Sequence, residues 1–171
     1  MAIVRKDKML AGYNGNLESV KIYNNAGTAT VESTNGVFVV LKGLLAGERE
    51  VQKATLAGAS DKGLDVLFIH NAEVMYDERL NKLADFRISA GKVARAYRLF
   101  DGDIITLTTD LFSNTVAVGD KLIVQGTAGK IGKPAVAGDV DTAKFVFEVI
   151  EDAGFELDTE MGAFAVKVIR N

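Results

Sequence analysis

Residues 118–134 read VGDKLIVQGTAGKIGKP, and the fold depends on whether this stretch cradles a phosphate or simply reverses the chain. An apolar strand, three glycines within seven residues (Gly126, Gly129 and Gly132) and the lysines Lys130 and Lys133 suit either purpose. A P-loop of pattern G-x-x-x-x-G-K-[ST] wraps phosphates in backbone N–H groups, reaches them with its lysine and opens a helix. Here the interval from Gly126 to Gly132-Lys133 is one residue too long, and Pro134 stands where the hydroxyl residue belongs. Proline also disfavours a helical conformation at the residue before it. The stretch therefore reads as a hairpin, KLIV turning through Gln125–Gly129 into KIGKP, with Lys130 and Lys133 facing solvent or a neighbour.

Strand signals extend outward from it in both directions. Upstream, VKIY (20–23) and TATVEST (28–34) flank NNAG, whose Asn and Gly favour a turn. Asn35-Gly36 then leads into VFVVL (37–41), and Asn-Gly between strand-like runs predicts a type I′ hairpin. VFVVL is apolar on both faces, which places it centrally in a sheet. REVQKATL (49–56) and DVLFIH (65–70) are further strands. In NAEVMYDERLNKLADF, Leu80, Leu83 and Ala84 fall at helical spacing with Asn71 or Asp77 as a cap, predicting one short helix near residues 72–85. From Phe86 the strands are FRIS, KVARAYRL, DIITLTT, KLIVQ, KFVFEVI and AFAVKVI. Phe145, Phe147 and Val149 share one face of their strand, as do Phe164, Val166 and Val168. Gly-Asp recurs at 102–103, 119–120 and 138–139 as a turn device. This grammar specifies a mainly-β protein of small barrel or sandwich architecture with one short helix.

The chain of 171 residues suits one domain or two small ones. Residues 1–100 carry 14 basic and 11 acidic side chains, a net of +3; residues 101–171 carry 6 and 12, a net of −6. That asymmetry fits two subdomains or a protein whose ends meet different surfaces; a soft boundary near residue 100 separates a β-rich region with a short helix from a small barrel-like region. The absence of cysteine excludes disulfides, thiol chemistry and the strongest zinc ligands. MAIVRKDKMLAGYNGN lacks the apolar stretch of a signal peptide, and no 18-residue apolar run is present to span a membrane.

Four stretches bear on chemistry. The sole histidine, His70, closes a buried strand, where a general base, a metal ligand and a packed histidine bonded to backbone are all open readings. GASDKG (58–63) does not fit the G-x-S-x-G elbow of a serine hydrolase. The acid-rich tract from Asp139 to Glu160 offers oxygen ligands, yet AGDVDTAKF departs from the EF-hand loop and lacks its turn glycine. RISAGKVARAYR (87–98) gathers Arg87, Lys92, Arg95 and Arg98 around Tyr97 without an acid. It reads first as a solvated strand face, next as a contact for an acidic surface on a neighbouring subunit, and last as a nucleic-acid site. Those five residues are the candidate interface. No catalytic, cofactor or metal-binding constellation is predicted.

VAVGDKLIVQGTAGKIGKP together with KFVFEVIEDAGFELDTEMGAFAVKVI resembles the capsid decoration (cement) proteins of tailed bacteriophages. The shared features are a Gly-Asp entering a strand, a short Gly-rich turn, a strand like FVFEVIED and a closing V-K-V-I strand. The resemblance covers about residues 101–171. It implies a small β-rich, non-enzymatic virion structural protein, made in the host cytoplasm and placed on the capsid surface. Its implied partners are the major capsid protein, other virion proteins and further copies of itself, often as a trimer. Nothing in residues 1–100 carries this signature, which keeps a tail or fibre component open. A small β-barrel ligand-binding module or enzyme using His70 with nearby carboxylates is the alternative of a different class.

Overall fold

A computed structural model describes residues 4–6, 16–48, 50–75 and 85–171. The protein is mainly β. Strands β2 (Leu17–Tyr23), β3 (Phe38–Leu44), β4 (Val51–Leu56), β5 (Leu67–Ile69) and β6 (Ala94–Tyr97) close a barrel in the order β2-β4-β3-β5-β6. Its β2–β4 pairing is parallel and every other pairing antiparallel. A barrel this narrow needs small inward side chains where strands converge, and Ala54, Ala94 and Ala96 are each wholly buried.

The second unit is a six-stranded antiparallel sheet in the order β1-β7-β11-β10-β8-β9, with β1 (Val4–Lys6), β7 (Ile104–Thr108), β8 (Lys121–Gln125), β9 (Lys130–Gly132), β10 (Val146–Gly154) and β11 (Ala163–Arg170). The sheet curls until the chain after β7 meets the β9 edge, where Ser113 N–H donates to Ile131 O at 2.8 Å. The Asn114 amide completes that seal, accepting from Lys133 N–H at 3.0 Å and donating to Lys133 O at 3.3 Å. Except for β1, the sheet draws on residues 104–170 and the barrel on residues 17–97.

The stretch 118–134 forms the predicted hairpin: Ile123 pairs with Gly132, Val124 with Ile131 and Gln125 with Lys130. No helix opens at Lys133, so the phosphate-loop reading fails on the element it requires. The loop instead locks the sheet to the barrel. Phe38 N–H donates to Gly129 O (2.8 Å), Gly129 N–H to Ala57 O (2.9 Å) and Ala59 N–H to Gly126 O (2.9 Å). Behind this seam the two units share one hydrophobic core. Its centre is an aromatic cluster in which Phe38 lies 5.5 Å from Phe68, 5.3 Å from Phe147 and 6.5 Å from Phe145, ring centre to ring centre. On the opposite face of β8 and β10, the single-turn helix α1 (Asp139–Thr142) covers Ile123 and Val146. Arg170 fixes that turn by donating to the carbonyls of Val140 and Ala143.

Two of the Gly-Asp turns are built alike. Asp103 accepts from Phe100 N–H (2.8 Å) and Asp120 from Ala117 N–H (2.7 Å), with Gly102 and Gly119 at φ 93° and 90°. Each turn then pairs with a strand, Gly102 with Val168 of β11 and Gly119 with Val149 of β10. The third differs: Gly138 has φ −71°, and Asp139 opens α1 and pairs with Lys62.

Several expected elements are corrected. TATVEST and FRIS form no strands; they meet through the single bridge Ser33–Ile88. β4 takes one edge of β2 and β6 takes the other at Leu17–Val20, which leaves residues 28–34 only the Tyr23–Thr30 bridge and the bond from Val31 N–H to Ile22 O. Asn35-Gly36 is not a type I′ turn, because Gly36 alone has positive φ (87°). Asn35 is wholly buried and its amide bridges to the chain after β5, donating to Asn71 O (2.9 Å) and accepting from Asn71 N–H (2.8 Å). Of the helix expected near 72–85, residues 72–75 are non-helical and 76–84 lie outside the described residues. The described α-helix is α1, which opens at the Gly-Asp pair 138–139 that was expected to form a turn.

Candidate functional site

The basic stretch 87–98 runs into and along β6, whose alternation buries Ala94 and Ala96 and turns Arg95 outward. Arg87, Lys92 and Arg95 are exposed. Arg95 N–H donates to the Asn71 side chain at 2.8 Å, which fixes the strand end, and the Arg87 guanidinium donates to Phe86 O. Tyr97 is buried, its ring centre 6.5 Å from that of His70. Arg98 is half-buried and engaged by two carboxylates, Asp65 at 2.9 Å and Glu18 at 3.6 Å. The five predicted interface residues thus divide into an exposed cationic set, a packed tyrosine and an internal ion-pair donor. Sequence spacing could not foresee that division, since Asp65 and Glu18 are distant in the chain.

Asp65 is the centre of the charge cluster that joins the two units. Its two oxygens take Arg98 from the barrel and Lys144 from the sheet side, each at 2.9 Å. Lys144 N–H also donates to Lys62 O, and the Lys62 ammonium pairs with Asp139. The Lys144 hydrogen bond, opposed by partial burial and reinforced by the Lys144 and Arg98 charges, holds the Asp65 carboxyl below its ordinary value. Because the folded value is depressed, the stabilisation is fully present above the unfolded pKa and disappears as pH falls through the folded one. The Asp65 side chain is 47% exposed, so solvent screening limits the contribution to about 0.5–1 kcal/mol. Asp65→Asn is expected to lower stability by that amount at neutral pH, with the difference from wild type closing as pH falls below the ordinary carboxylate value of about 4. Urea unfolding across that fall in pH measures it; a difference independent of pH would contradict the ion-pair assignment.

His70 is half-buried at the end of β5; its N–H donates to Arg95 O (3.1 Å) and its ring packs beside Tyr97. Among the described residues no group of three His, Asp or Glu is placed to hold a metal ion. The acid-rich tract is dispersed. Asp139 pairs with Lys62, while Asp152 and Asp158 accept from the nearby N–H groups of Gly154 and Glu160.

A cleft of about 320 Å³ at the barrel–sheet junction brings Arg87 and Lys130 together with Glu32 and Asp110 above Val37 and Leu111. Lys130 was expected to face solvent or a neighbour, and its place in this cleft follows from the hairpin seam. Two cations and two carboxylates balance there, with Ser33 and Thr34 also on the wall. Among the described residues no helix is long and apolar enough to cross a membrane. Compared with protein-family models, curated proteins and solved structures, the chain matches none of them.

Proposed function

We propose that the protein is a non-enzymatic virion structural protein that decorates the outside of a phage head shell, binding the major capsid protein and further copies of itself. The observation that supports this reading is the arrangement of the C-terminal residues behind the resemblance. The Gly-Asp turn at 119–120, the β8–β9 hairpin, β10 and β11 lie in one antiparallel sheet, and that sheet is fused through a shared core to a second β unit. A compact body with charged faces suits attachment to a repeating surface. There, several weak contacts multiply through effective concentration and no single contact has to be strong.

The test is to mix the purified protein with undecorated, expanded shells. Saturable co-sedimentation and a raised melting temperature of the shell are expected; no binding at any ionic strength would refute the proposal.

A further inference from the structure

Two exposed surfaces of opposite charge have no ionic partner among the described residues. The first is the patch Lys92-Val93-Arg95: both cations are exposed, neither forms an ion pair among the described residues, and Val93 between them is 43% exposed. The second is the β10–β11 hairpin. Between Lys144 and Lys167 the sequence has six carboxylates and no cation. Glu151 on β10 and Glu156 in the turn that follows are exposed and form no ion pair among the described residues, and Phe155, next to Glu156 in the chain, is 65% exposed, among the most exposed large apolar side chains of the protein. Each surface therefore presents one apolar side chain flanked by charges of a single sign, and the two are complementary in both respects.

We infer that the hairpin of one copy docks on the Lys92-Val93-Arg95 patch of a second copy, with Phe155 as the apolar anchor and Glu151 and Glu156 facing the two cations. This rests on the self-association included in the proposed function and names its contact. Aromatics, Phe among them, are enriched at the core of interfaces whose rim is polar, and opposite charge steers the encounter and rejects wrong registers. The contact joins two different surfaces, so it either repeats head to tail or forms twice across a two-fold axis.

The experiment is sedimentation velocity of the whole chain from about 0.02 M to about 0.5 M salt, with unfolding curves verifying that each variant is folded. Wild type is expected to self-associate with concentration and to dissociate as salt rises. The pair Lys92→Glu/Arg95→Glu, the pair Glu151→Lys/Glu156→Lys, and Phe155→Ser should each weaken association about tenfold or more. Mixing the two charge-reversed proteins should restore a mixed oligomer, which general surface damage would not do. A wild type monomeric at every salt, or association unchanged in both reversed variants, would overturn the inference. Shell binding by that same monomer would leave the proposed function standing, so the two failures are distinguishable.

Discussion

Gly129→Ala is expected to cost about 3–5 kcal/mol of folding stability, far more than a methyl group normally does on a loop. Gly129 has φ +70°, a conformation that alone costs an L-residue about 1–2 kcal/mol. The new Cβ would also lie 2.5 Å from Phe38 O and 3.1 Å from Phe38 N. Those are backbone atoms inside a barrel strand, so they cannot swing aside. Relief requires the hairpin to lift, which breaks its bonds to Phe38 and Ala57. Gly126 is the internal control: it has the same φ of +70° but nothing within 4 Å of its Cβ position. Gly126→Ala should therefore show the backbone term only. Urea unfolding of the two variants separates the effects, and equal losses would contradict the seam between hairpin and barrel.

Phe38→Ala is expected to cost a similar 3–5 kcal/mol, from lost burial plus the cavity left behind. Phe38 is 1% exposed and touches the rings of Phe68, Phe145 and Phe147, drawn from both units. Its removal should weaken barrel and sheet together. Amide hydrogen exchange in β5 and in β10 should accelerate by comparable factors, and unfolding should stay a single transition. Acceleration confined to the barrel would mean that the two units do not share a cooperative core.

The features legible in the sequence were those encoded over a few residues. Gly126 and Gly129 sit on the hairpin they were expected to make, and the alternation of Phe145, Phe147 and Val149 put all three in the core. The Gly-Asp pairs at 102 and 119 were read as turns and proved to share one hydrogen-bond geometry. Features that depend on distant partners stayed hidden. TATVEST has the composition of a strand, but on the β2 edge it faces, β6 already holds Leu17–Val20 and leaves it only the Tyr23–Thr30 bridge. Asn35 looked like a turn residue, yet a carbonyl 36 residues away makes it a buried bridge. The basic stretch was read as one face because Asp65 and Glu18, which engage Arg98, are remote in sequence, and Lys144, which shares Asp65, is 79 residues from it. The cleft of Arg87, Lys130, Glu32 and Asp110 likewise assembles four separate segments and had no local signal.

The central claim, that this protein decorates a phage head shell, is tested most directly by titrating purified protein onto undecorated shells and counting bound copies per shell subunit. Saturation at a fixed ratio set by the lattice, unchanged by further excess of protein, is the predicted result. Absence of binding across the full range of ionic strength, or accumulation without a plateau, would contradict it.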